Sequence, residues 1–283
     1  NGTGTPKAYS IKGIPNLESG KSYTYKLKIG KDKAIIDNVT VTDWKEGTAI
    51  PGGEASLVTE ESVRESVAKQ LENGNDVELT LPSNASLGLF EAIKTALKDK
   101  GVPKSSVDIT LKGVMRIPQK AFGNLPEGVA PWFKVVRLPD ATIIEDDAFQ
   151  GSTLTAIYAP KVEEIKFRAF SQCEKLGIVD MRKASRIKYR AFEECGRLDR
   201  VRFGALSSVG QIDRDGRDGI FKNCKTEIID LTLSSRQSMM QLRNTEEATH
   251  EWVPAGESYW DTEDYTNKKF LGYTFAQIHR VDD

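Results

Sequence analysis

An α/β repeat solenoid is the fold this sequence predicts, on three observations. Phenylalanines recur at 122, 149, 170, 192 and 221, in steps of 27, 21, 22 and 29 residues. Ahead of the last four steps' starting points lies a second marker: Ile109, Val136, Ile157 and Val179 each stand 13 residues before Phe122, Phe149, Phe170 and Phe192. Around the phenylalanines the copies also agree in residue type, as in EIKFRAFSQCEKLGIVDM at 164–181 and RIKYRAFEECGRLDRVRF at 186–203. Self-similarity at a period in the low twenties, with Leu and β-branched positions, marks a stacked-repeat architecture.

A unit this short cannot bury both faces of its strand, so each copy stacks on its neighbours and shares one long core. Strand side chains alternate, which sends Val179 and Met181 inward beside Ile165, Ala169 and Phe170 and turns Asp180 outward. The Ala is expected where the chain turns tightly against the next coil, and the Phe at the widened back of the coil. The pattern I-x-x-x-A-F-x-x-C-x-x-L is carried by Ile165/Ala169/Phe170/Cys173/Leu176 and by Ile187/Ala191/Phe192/Cys195/Leu198. It resembles the BspA-like leucine-rich repeats of bacterial surface proteins, over roughly residues 105–235. The resemblance implies a right-handed leucine-rich-repeat solenoid and a non-enzymatic role.

Residues 1–55 read differently. Lys21–Ile29 alternates, with Tyr23, Tyr25, Leu27 and Ile29 on one face, and Ile35–Trp44 is a second β-type run. Together they predict a hairpin around the turn at 30–33. Two strands alone are marginal in water, so the hairpin docks on the rest or is the remnant of a larger β-sandwich. Tyr23, Tyr25, Val39, Val41 and Trp44 make this stretch similar to the closing strands of fimbrillin-type domains of lipid-anchored surface proteins and pilus components. Residues 50–56 (IPGGEAS) read as a linker.

The repeat domain is expected over 56–283. Thr59 caps a helix with Glu60 and Glu61 in its first turn and Val63, Val67 and Leu71 along one face. A strand at 77–81, an amphipathic helix at 87–98 and a strand at 107–111 follow. Leu79 to Ile109 is 30 residues, which makes 56–104 a helical cap with one wide first repeat, hiding the open core end. Regular repeats fill 105–235, although Val201 to Phe221 spans 20 residues and so holds an insertion. Residues 236–283 lose the repeat. Their aromatics, Trp252, Tyr259, Trp260, Phe270, Tyr273 and Phe275, predict a C-terminal cap with a final strand at 270–278.

With net charge −1, the chain has no bulk attraction to nucleic acid or membrane, and 29% charged residues is ordinary for a globular protein. No apolar run approaches the ~18–20 residues that cross a bilayer. The opening Asn-Gly-Thr-Gly-Thr reads as a processed or truncated start, so the missing signal peptide says nothing about export. Cys173, Cys195 and Cys224 each stand three residues after a repeat Phe. Three free buried thiols are the expectation, because the odd count fits a disulfide framework poorly. A Cys173–Cys195 bridge is the geometric alternative, with coils ~4.8 Å apart.

No catalytic constellation is present: G-x-S-x-G, P-loop and H-E-x-x-H motifs are absent, and there are two histidines in all. No cofactor is expected. Zinc finds no ligand set, since neither His250 nor His279 shares a motif with a Cys. The D-R-D-G-R-D-G stretch at 213–219 places Asp213, Asp215 and Asp218 in an alternation that calcium loops use. Arg214 and Arg217 oppose it and Cys224 stands where a closing Glu belongs, so a surface turn is expected, with calcium as the alternative.

The outer face of the strands is the better candidate. Alternation directs Thr80, Thr110, Arg137, Tyr158, Asp180, Arg202 and Thr232 outward, flanked by Arg182 and Arg200. Residues 161–202 hold 12 Lys/Arg against 7 Asp/Glu, and Arg and Tyr are enriched at binding hot spots. The expected ligand site is Arg137, Tyr158, Asp180, Arg182, Arg200 and Arg202. The expected partner is a host or bacterial surface protein or an acidic glycan, not nucleic acid. The family resemblance implies adhesion at the cell surface, as an outer-membrane lipoprotein that is extracellular or periplasmic. It would meet the membrane only through a lipid anchor absent from this sequence. A pilus-associated subunit and a carbohydrate-binding module of a surface complex are the alternatives.

Overall fold

A computed structural model of the 283-residue chain describes 9–11, 21–29, 33–43, 49–50, 54–103, 105–123, 133–211, 219–244, 250–256 and 268–282, with side chains from 58 onward. Two ladders of mostly parallel strands organise it. The front ladder takes one strand from each repeat, in chain order: Asp76–Thr80, Val107–Lys112, Phe133–Arg137, Ala156–Tyr158, Ile178–Met181, Arg200–Phe203, Asp230–Ser234 and Gln277–Val281. Every neighbouring pair in it is parallel. The back ladder is built from Arg116–Ile117, Ile143–Ile144, Glu164–Ile165, Arg186–Ile187 and Ser208–Gln211. An antiparallel hairpin, His250–Pro254 with Met240–Asn244, extends its far end. Neighbouring strands belong to successive repeats, so the chain has a repeat α/β fold with two open sheets.

Register confirms the spacing argument and corrects it at one end. Ile109, Val136, Ile157, Val179 and Val201 stand opposite one another across the front ladder, all buried. Their partner on the first strand is Val77 rather than Leu79, and Leu231 and Ile278 continue the row. A slip of two residues keeps every side chain on its face, so the direction survived although the interval did not. The final strand is Gln277–Val281; Lys269–Phe270 and Tyr273–Thr274 instead form their own small antiparallel pair.

The phenylalanines form a column through the core. Ring centroids are 5.3 Å apart for Phe90–Phe122, 5.4 Å for Phe122–Phe149, 5.2 Å for Phe149–Phe170 and for Phe170–Phe192, 5.8 Å for Phe192–Phe221 and 5.9 Å for Phe221–Phe275. Ile117, Ile144, Ile165, Ile187 and Val209, the inward residues of the back ladder, line its other side.

Each repeat turns through the left-handed region just before the Ala-Phe pair, with φ of 57°, 55°, 49° and 55° at Lys120, Asp147, Arg168 and Arg190. That conformation costs a non-glycine residue ~1–2 kcal/mol. Bonds between repeats offset it: the amides of Phe122, Phe149, Phe170 and Phe192 donate to the carbonyls of Ala148, Ala169, Ala191 and Ile220 at 2.7–2.9 Å. The cysteines are free. Each thiol donates back one repeat, Cys173 to the Phe149 carbonyl (3.1 Å), Cys195 to Phe170 (3.1 Å) and Cys224 to Phe192 (2.9 Å).

Two helices precede the regular repeats. Helix α1 (Glu60–Gln70) opens on a capping box between Thr59 and Ser62 and buries Val63 and Val67. Helix α2 (Leu87–Asp99) buries Leu89, Phe90, Ile93 and Leu97, and its Phe90 begins the aromatic column. At the N-terminal end, Lys21–Ile29 pairs antiparallel with Lys33–Asp43 as the predicted hairpin, with a register shift after Lys26. It sits in a five-stranded sheet. The stretch read as a linker carries two of that sheet's strands, Ala49–Ile50 and Glu54–Leu57, because pairing to Lys33–Asp43 overrides the local Gly and Pro signal.

Candidate functional site

The outer face of the front ladder presents two rows. One row runs Glu78, Thr110, Arg137, Tyr158, Asp180, Arg202, Thr232 and His279. The other, two residues earlier on each strand, ends with Ile178, Arg200, Asp230 and Gln277. Thr80 faces outward as expected, but one pleat along, opposite Lys112.

The structure gathers four of the six nominated residues and separates two. Tyr158, Asp180, Arg200 and Arg202 line one open depression of about 400 Å³, over a floor of Ile178 and the backbone of the inward-facing Val179 and Val201, with Asp230, Thr232 and His279 along its far side. Arg137 lies in a second depression of about 480 Å³, among Gln70, Asp76, Glu78, Asp108 and Thr110. Arg182 lies in a third, of about 380 Å³, with Glu163, Lys183, Ser185, Gly204 and Ala205.

Most of the local positive charge is already matched. Arg137 approaches Asp108 at 3.4 Å, and its guanidinium stands 5.9 Å from the Tyr158 ring centre. Arg182 grips Asp180 with both arms of its fork, Nε to Oδ1 at 3.2 Å and Nη2 to Oδ2. That bond pushes the Arg182 pKa further up. Arg200 reaches Asp199 at 3.6 Å with both side chains largely exposed, a pairing worth little. The Arg202 guanidinium and the Asp230 carboxylate have no side-chain partner among the described residues. What looked in sequence like an arginine cluster is a mixed-charge depression in which, among the described residues, Arg202 and Asp230 have no ion-pair partner and Arg200 has a weak one.

Two glutamates of the repeat turns, Glu164 and Glu193, are similarly tied. Glu164 lies 3.8 Å from Lys166 and 3.7 Å from Arg186, while Glu193 lies 3.4 Å from Lys222. Among the described residues no group of three or more His, Cys, Asp or Glu could hold a metal ion. Asp213, Asp215 and Asp218 lie outside the described residues.

Asp230 and His279 were missed as members of the site. Asp230 stands two residues before Thr232, whose outward direction alternation already gave, so the same alternation finds it. His279 was lost with the misplaced final strand, though its position next to buried Ile278 carries the alternation that finds it.

No curated protein and no solved structure matches the chain. Residues 104–228 do match a family model, in six copies, and by that match the chain carries a BspA type leucine-rich repeat region.

Proposed function

We propose that this chain is a non-enzymatic cell-surface protein whose front ladder binds a protein or an acidic glycan in an adhesive role. The observation that carries the reading is the depression on that ladder, where Tyr158, Asp180 and Arg200 meet around Arg202, which has no side-chain partner among the described residues. The BspA type repeat match supports a surface repeat protein with interaction or adhesion roles. In this reading the solenoid is right-handed, and α1 and α2 close its first coil through the Phe90–Phe122 contact. On the same reading the chain is an outer-membrane lipoprotein. Among the described residues no helix is long and apolar enough to cross a membrane.

A second reading, a pilus-associated fimbrillin-like subunit, draws support from the five-stranded N-terminal sheet around the hairpin of Lys21–Ile29 and Lys33–Asp43. The test of the first reading is a screen of the purified chain against extracellular matrix proteins and sialylated and sulfated glycans at two ionic strengths. Binding at the exposed face should weaken with salt, as the Debye length falls from ~10 Å at 0.1 M to ~3 Å at 1 M. It should also be lost in the Arg182→Ala/Arg200→Ala/Arg202→Ala variant. Full binding by that variant would move the site off the front ladder.

A further inference from the structure

Building on the front ladder as a binding face, we infer that its central depression takes a single carboxylate-bearing sugar residue of a glycan, anchored by Arg202. Charge is the first argument. Asp180 is engaged by Arg182 and Arg200 stands beside Asp199 in a weak exposed pair, so among the described residues Arg202 and Asp230 are the charges of the depression without an ion-pair partner. Arg202 pairs in register with Thr232, and Asp230 with Arg200, so the two are diagonal neighbours on adjacent strands. A polyanion, whether an acidic peptide or a sulfated chain, finds Arg202 and the weakly paired Arg200 here and is opposed by Asp230. A sugar acid uses both: its carboxylate meets the Arg202 fork, and its hydroxyls donate to Asp230. Thr232 adds a hydroxyl that both donates and accepts.

Shape is the second argument. Arg137 stands over the Tyr158 ring from the preceding strand and does not line this depression, so it braces the ring as a wall. Tyr158 and Ile178 offer a surface for the C–H face of a pyranose, beside the polar groups of the neighbouring strands. Small-molecule sites span ~300–1,000 Å³. A volume of about 400 Å³ falls at the lower end of that range. A folded protein partner would instead need ~800 Å² of this surface.

The experiment is saturation-transfer NMR and calorimetry on the whole chain with three groups of probes. Methyl glycosides of N-acetylneuraminic acid and glucuronic acid test the sugar acid, methyl glucoside tests a neutral sugar, and a hexaglutamate peptide and a heparin tetrasaccharide test polyanions. One or both sugar acids should bind, weakened at least ~10-fold by Arg202→Ala and by Asp230→Asn. Arg202→Lys should fall between, because an ammonium lacks the planar fork. Arg186→Ala, on the back ladder, should bind as the wild type does, and matching unfolding midpoints would exclude misfolding. Equal binding of the neutral sugar, tighter binding of peptide or heparin, or normal binding by Arg202→Ala would overturn the inference. If no sugar binds while the triple arginine variant still loses a matrix protein, this inference falls and the broader reading stands. If neither ligand type depends on the face, both fall.

Discussion

Phe170 lies 5.2 Å from the ring of Phe149 on one side and 5.2 Å from that of Phe192 on the other, nearly parallel to both and fully buried. Removing a large core aromatic costs ~3–5 kcal/mol, the lost transfer energy plus the cavity left behind. Phe170→Ala should therefore lose ~3–5 kcal/mol in urea denaturation, and a loss below ~1 kcal/mol would place the side chain outside the core. The thiols make a second residue-scale prediction. Burial pushes the Cys195 and Cys224 thiols up, away from the reactive thiolate, and all three Sγ atoms are bonded to carbonyls of the preceding repeat. Thiol titration should find them slow in the native protein and count three after denaturation without reductant; a count below three would reveal a bridge. The Ala-Phe and Cys positions were legible because burial selects residue type. The left-handed turns at Lys120, Asp147, Arg168 and Arg190 were not, since a charged side chain is no signal for that conformation, which is imposed by bonds to the next repeat.

At the scale of elements, the open edge of the front ladder is covered by a side chain. The Gln70 amide at the end of α1 donates to the Glu78 carbonyl at 2.9 Å and accepts from the Glu78 amide at 2.7 Å. It satisfies the edge strand as a neighbouring strand would, and so blunts an edge that could pair with another chain. Losing a bond of ~1 kcal/mol net should speed exchange of the Glu78 amide about fivefold in Gln70→Ala; an unchanged rate would show that the clamp is not made. Asp140 ties three successive turns, accepting from Lys161 Nζ at 2.8 Å and from the Gly113 amide at 2.9 Å. The Lys161 bond, then the Gly113 bond, hold its carboxyl below the usual carboxylate range. A lowered folded pKa contributes stability that is complete above the unfolded value, ~3.9, and is lost as pH falls through the folded one. Asp140→Asn should therefore be less stable than wild type at pH 7, with the gap closing below about pH 4. A gap independent of pH would contradict this. The helices and front strands were readable from periodicity, whereas the back ladder was not: Arg116–Ile117, Ile143–Ile144, Glu164–Ile165 and Arg186–Ile187 are two residues each, too short for any alternation to register.

Across the whole molecule, one aromatic column joins α2 to the C-terminal segment through every repeat between them. Stacked repeats draw stability from their neighbours, so the face they display is held by a core that no single repeat owns. That explains how much of the site could be read from sequence. A period of two fixes which way a strand residue points, and Arg137, Tyr158, Asp180 and Arg202 do share one row. Which depression a side chain enters, and which charge meets it, depends on partners on other strands. Arg182, expected in the ligand site, is instead engaged by Asp180 and lies in another depression, and Asp230 was overlooked although it shares a face with Thr232. The most direct test of the front face as the binding surface is hydroxyl-radical footprinting of the protein with and without a saturating ligand from the screen. The account predicts protection of Tyr158 and His279, with Phe167 and Tyr189 beside the back ladder oxidised as in the free protein. Protection of Phe167 and Tyr189 with Tyr158 and His279 unchanged would contradict it.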